Sequence, residues 1–188
     1  MVVRKRMTLD ITNPRSIEKT IKYFEKMRDE LPKKYQQLCS ELADLGIQVA
    51  IACANGSEFA PYVMFSKEIK KANQDGCEMI MFGRNIGQVF GEGVPEKEIN
   101  AILMLEYGSG QGADPIQVIL DGQLVGGRGS YPSPSAVWNA NDPKGWFYRD
   151  KNGVLHHSTG EQAQYPMQRA YDYMQTQVDD VIRKVFTL

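Results

Sequence analysis

The chain has 188 residues, 42% of them hydrophobic and 24% charged, which is enough for a buried core and unlike a disordered polypeptide. Its 22 basic and 23 acidic side chains leave a net charge of −1, so the whole molecule carries no electrostatic footprint for nucleic acid or membrane. Cys39, Cys53 and Cys77 are odd in number and widely spaced, which points to free thiols in a reducing compartment.

The N-terminal stretch MVVRKRMTLDITNPRS has basic residues but no apolar core of a secretory signal after them. No run approaches the ~18 consecutive apolar residues of a membrane span, so none is expected. The segment VVRKRMTLDI alternates weakly and reads as a first strand; Arg4, Lys5 and Arg6 fit a charged, solvated edge better than a DNA site. NPRS breaks it, with Ser16 as a helix cap. Ile17, Ile21, Phe24, Met27 and Leu31 then recur at helical spacing, and Pro32 is expected to end or kink that helix. A second helix is expected at once, with Tyr35, Leu38, Leu42, Leu45 and Val49 on one face.

NGSEFAPY is a loop by composition, and VMFSKEI and CEMIMF flank the turn signal Asp75-Gly76 as an antiparallel hairpin. INAILMLEY is apolar throughout and fits a buried strand or a short buried helix; periodicity cannot separate the two. From about 108 to 145 the chain is rich in glycine and proline, with a small hairpin IQVILDGQLVG inside it. Loops of this length in compact domains tend to be functional or disordered. WFYRDKNGVLHH reads as another hairpin turning at Asn152-Gly153. From Pro166 a helical stripe runs through Met167, Ala170, Tyr171, Met174, Val178, Val181, Ile182 and Val185, and proline suits a first helical position.

These elements predict one α+β domain over residues 1–188. It comprises a small mixed or antiparallel sheet, two N-terminal helices, a C-terminal helix and a long loop or hairpin insertion at about 108–145.

Chemical motifs are sparse. GSGQGAD, Gly108 to Asp114, resembles a phosphate cradle, but Pro115 and a strand follow where a dinucleotide site needs a helix, and no GK[ST] makes it a P-loop. His156 and His157 are adjacent, so on a strand they point to opposite faces and do not make a metal pair. Cys39 and Cys53 fit buried small hydrophobes, with no CxxC to suggest zinc. No GxSxG elbow occurs, and Asp179 and Asp180 fit a solvated helix face. The expectation is therefore no catalytic residue, no cofactor and no metal. Tyr131 and Trp138 lie in the long loop and Trp146 beside it, a placement typical of aromatic interface anchors.

Three pieces occur in order: LEYGSG (Leu105–Gly110), GWFYRD (Gly145–Asp150) and STGEQAQYPMQRAY (Ser158–Tyr171). Together they resemble the tail-completion, or head–tail joining, family of long-tailed bacteriophages. In that family a Glu-aromatic-Gly-small-Gly turn, a variable loop, an aromatic strand and a Thr-Gly-Gln-Pro-Ala-like turn precede a Pro-led helix. Glu161 and Gln162 stand where the family often has Gln and Pro, and Tyr165-Pro166-Met167 replaces Arg-Pro-Phe-Met.

The resemblance implies a structural virion protein and not an enzyme. Such a subunit, made in the host cytoplasm, forms a ring with copies of itself, of hexameric type, at the neck. It terminates the tail-tube protein, meets a head-completion or connector protein, passes DNA through its lumen without sequence recognition, and touches no membrane. Glu106, Tyr107, Tyr131, Trp138 and Trp146 are the expected interface residues, and Gly108, Gly110, Thr159 and Gly160 the expected structural turns. The alternative is a small cytosolic ligand-binding or enzymatic domain using the Gly-rich loop 108–114, in which Gly108 and Gly110 would line a pocket.

Overall fold

The computed structural model describes residues 10, 12–87, 90, 91, 97, 98, 100–109, 118–120, 123–126, 146–150 and 152–186. The fold is α+β, as the pattern of elements predicts. Helix α1 spans Pro14–Ala54, α2 Ala101–Tyr107 and α3 Pro166–Phe186. The strands are β1 Val63–Ile69, β2 Met79–Asn85, β3 Phe90–Gly91, β4 Lys97–Glu98, β5 Val118–Leu120, β6 Gln123–Gly126, β7 Trp146–Arg149 and β8 Leu155–Ser158. The expected first strand over residues 1–10 falls outside the described residues save for Asp10.

The two expected N-terminal helices are one helix of 41 residues, with Pro32 inside it. A proline removes one hydrogen bond and costs about 3 kcal/mol in a helix interior. The apolar stripe runs in phase across it, however. Ile17, Ile21, Phe24, Leu31, Tyr35, Leu38, Leu42, Leu45 and Val49 alternate at spacings of three and four, with Arg28 the one polar residue in the series. An apolar face that stays in phase on both sides of Pro32 outweighs one lost bond. Part of α1 is also long and apolar enough to cross a membrane, by length and composition. That qualifies the expectation of no such segment, although its Leu42, Ala43, Ala50 and Ala54 are buried against protein.

Within INAILMLEY, Ala101–Tyr107 is helix. The Asn100 side chain accepts a hydrogen bond from the Leu103 N–H at 3.4 Å, and Ala101, Met104 and Leu105 are buried at helical spacing. The three expected hairpins are present. The β1–β2 turn is held by the Asn73 side chain, which accepts from the Asp75 and Gly76 N–H groups at 2.9 and 3.0 Å. At β7–β8 Asp150 does the same for Asn152 and Val154, both at 2.9 Å. A single small sheet is not what forms: β1–β2 and β5–β6 are separate two-stranded sheets, and β4-β3-β7-β8 is a four-stranded antiparallel one.

The chain packs as two compact units, neither contiguous in sequence. The first comprises residues 1–45, 67–81 and 173–188, and the second 46–66 and 82–172. The first unit centres on Leu42, Val181 and Val185, with Leu38, Leu45, Met79, Val178 and Phe186 around them. Here α3 covers the middle of the α1 stripe, and Lys184 bonds Glu41 at 2.8 Å. Lys67 Nζ donates to Asp44 at 2.6 Å and to the Ser40 hydroxyl at 2.7 Å, fixing β1 to the helix. The second unit centres on Ala54, Phe59, Val63, Ala101, Met104 and Leu105. Its α2 lies so close to β2 that a Cβ on Gly83 would stand 2.6 Å from Ile102 Cδ1.

Candidate functional site

The outer two of the three motif pieces meet in the second unit, at the start of α3. Glu106, near the end of α2, is buried, and its carboxylate accepts the Met167 N–H at 2.9 Å and the Gln168 N–H at 3.1 Å. These are two of the N–H groups that a helix leaves without internal partners, and a negative charge at that end is favoured by the helix dipole. Glu106 thus caps α3 from 61 residues away in sequence.

Around this cap the two turns are tied by backbone. The Ser109 N–H donates to the Glu161 carbonyl at 2.8 Å, and the Glu161 N–H returns to the Ser109 carbonyl at 3.1 Å. The Glu161 N–H is also shared with the Ser109 hydroxyl at 3.1 Å. The Gln164 N–H donates to the Leu105 carbonyl at 2.8 Å. Gly108 follows α2 at φ 73°, where its N–H reaches the Met104 carbonyl, and Gly160 stands at φ 111°. Both conformations are costly for residues with a Cβ. Thr159 is exposed beside them. Tyr165, also at positive φ (52°) although it is not a glycine, precedes Pro166. Such a conformation costs on the order of 1–3 kcal/mol, and the surrounding bonds hold it.

A third turn joins from residues 57–62. The Ser158 hydroxyl donates to the Glu58 carboxylate and accepts the Gly160 N–H at 3.1 Å. The Ser57 hydroxyl accepts the Phe59 N–H at 3.0 Å. Burial, and then the nearby Glu58 charge, raise the Glu161 carboxyl above the usual carboxylate range despite an opposing hydrogen bond from Ser57. Burial, helped by the charges of Asp150 and Glu58, also raises the Tyr62 phenol. Asp150 is held low, first by the Val154 N–H, and His156 Nε2 lies 3.5 Å from it.

Chemically this is a joint. Its hydroxyls and the Glu106 carboxylate bind backbone N–H groups and so hold three turns at the start of one helix. Ser109 and Ser158, both fully or nearly fully buried, are the members that sequence reasoning missed. A serine in a Gly-Ser-Gly run reads as solvent-exposed loop, and only the tertiary partner reveals it.

Tyr107 is half-buried at the end of α2, and Trp146 opens β7. Tyr131, Trp138 and Gly110 lie outside the described residues. Among the described residues no group of three or more His, Cys, Asp or Glu could hold a metal. A cavity of about 320 Å³ in the first unit is lined by Glu41, Asp44, Leu45, Asp180, Val181 and Lys184. One of about 240 Å³ in the second is lined by Ile51, Ala54, Ala60, Val63 and Phe65 among others. Gly108 lines neither. Comparison with protein-family profiles, curated proteins and solved structures finds no match in any of the three.

Among the described residues, the first half of α1 leaves a row of large apolar side chains bare. Ile17, Ile21, Phe24 and Met27 are 38%, 51%, 60% and 45% exposed, and every residue from Ile21 to Glu30 is exposed. The same stripe is covered by α3 from Leu38 to Leu45.

Proposed function

We propose that this chain is a structural subunit that acts by assembly: a tail-completion or head–tail joining protein of a long-tailed bacteriophage. It closes the tail tube as a homo-oligomeric ring and presents a face to the head-completion proteins. The observation that carries the assembly reading is the bare stripe Ile17–Met27, which continues a face buried elsewhere on the same helix. Large apolar side chains in such a row mark an interaction surface. In a ring each contact is heterologous, so this stripe meets a different patch on the next copy. The motif order supports the phage assignment, and the way LEYGSG and STGEQAQYPM interlock supplies a physical reason for keeping both together. DNA crosses the lumen without sequence recognition, in keeping with the near-neutral charge.

The test is the mass and negative-stain appearance of the purified chain, alone and mixed with the tail-tube protein of the same phage, beside an Ile21→Ser/Phe24→Ser variant. A ring or a capped tube for the wild type, lost in a variant that melts at the same temperature, is the expected result. A wild type and variant equally monomeric and equally indifferent to the tube would overturn the reading.

A further inference from the structure

We propose that Cys39 and Cys77 form a modification site, a thiol pair that a low-molecular-weight disulfide converts into an intramolecular bridge between α1 and the β1–β2 hairpin. Both residues belong to the first unit and are half-buried. Although 38 residues apart, they touch: Cys39 Sγ lies 3.5 Å from the Cys77 carbonyl oxygen. A side chain that already reaches the backbone of another cysteine stands near the short separation that disulfides span. Cys77 Sγ points across the mouth of the hairpin, 3.2 Å from the Lys70 carbonyl. The Asn73 bonds to Asp75 and Gly76 fix the backbone just before it. Forming the bridge requires the Cys77 thiol to turn off the Lys70 carbonyl.

Burial first, and then the adjacent Cys77 thiol, push Cys39 up to about 11, so Cys39 stays protonated and does not open the reaction. Cys77 does: its thiolate attacks one sulfur of the oxidant RSSR, giving a mixed disulfide and releasing RS⁻. Cys39 then loses its proton and attacks the Cys77 sulfur, and the second RS⁻ leaves. The balance is two protein thiols plus RSSR going to one protein disulfide plus two RSH. Cys53, the third free cysteine, also half-buried, takes no part and serves as an internal control.

In a particle assembled in a reducing cytoplasm and then released, the bridge forms after assembly and staples the first unit. That timing rests on the assembly reading above. The thiol pair does not, and it is tested on the isolated chain.

The reduced full-length protein is incubated with oxidised glutathione, alkylated under denaturing conditions and mapped with a protease that cuts after glutamate. Such an enzyme separates Cys39 from Cys53, for example at Glu41. One alkylated cysteine at Cys53, an intact mass lower by two hydrogens before alkylation, and a peptide pair joining Cys39 to Cys77 are expected. The melting temperature should rise by on the order of 5–10 °C. Cys53→Ser keeps the bridge and Cys77→Ser loses it. Separate glutathione adducts without a bridge, a bridge to Cys53, or a cross-linked dimer would overturn the proposal, and the wild-type peptide map decides this even if a variant fails to fold.

Discussion

Glu106 shows how much one side chain can organise. Its carboxylate holds two N–H groups at the start of α3, and the same joint carries Tyr165 in a left-handed conformation. Glu106→Ala leaves both donors without this charged acceptor and should cost about 1–3 kcal/mol in chemical denaturation, with Glu106→Gln intermediate because one carbonyl oxygen remains. Two other carboxylates bend the pH profile in opposite directions. Asp150 is held low, so its contribution is present above the ordinary aspartate range and is lost as pH falls through its folded value. Glu161 is held high, so the fold is strained by its charge at neutral pH and gains as that charge is neutralised on acidification. Melting temperatures followed from about pH 8 to about pH 3 should show Asp150→Asn flattening the acid loss and Glu161→Gln removing the gain that sets in above the ordinary glutamate range.

At the scale of elements, α1 is one helix with two fates. Its middle is covered by α3 and its first half is bare, although the sequence pattern is the same in both. Helices in water owe most of their stability to packing of an apolar face. Amides between Ile17 and Glu30 should therefore exchange with solvent faster than those between Leu42 and Ala50 by several orders of magnitude in the isolated chain. Protection of the first half on assembly would identify it as the buried surface. Pro32 does not end the helix, because its local penalty is set against an apolar face that stays in phase from Ile17 to Val49. The hairpins were legible because their turns are local: Asn73, Asp75 and Gly76, and then Asp150 with Gly153, supply the bonds and positive-φ residues the turns need.

For the whole molecule, α1, the β1–β2 hairpin and α3 each run through both compact units without a break. A unit that loses its core therefore loses elements shared with the other. Leu105→Ala, in the second core, should cost about 2–5 kcal/mol and speed amide exchange in Tyr173–Phe186 as well, where a mutation confined to one independent domain would not.

The α+β class, the three hairpins and the start of α3 at Pro166 were determined by sequence alone, because each depends on periodicity or turn chemistry within a few residues. The tertiary structure alone decided that Ala101–Tyr107 is a helix, that Glu106, Ser109 and Ser158 join distant turns, that Cys39 meets Cys77, and which half of the α1 stripe is covered. Those outcomes depend on partners tens of residues away, and no local pattern encodes which distant group will stand opposite.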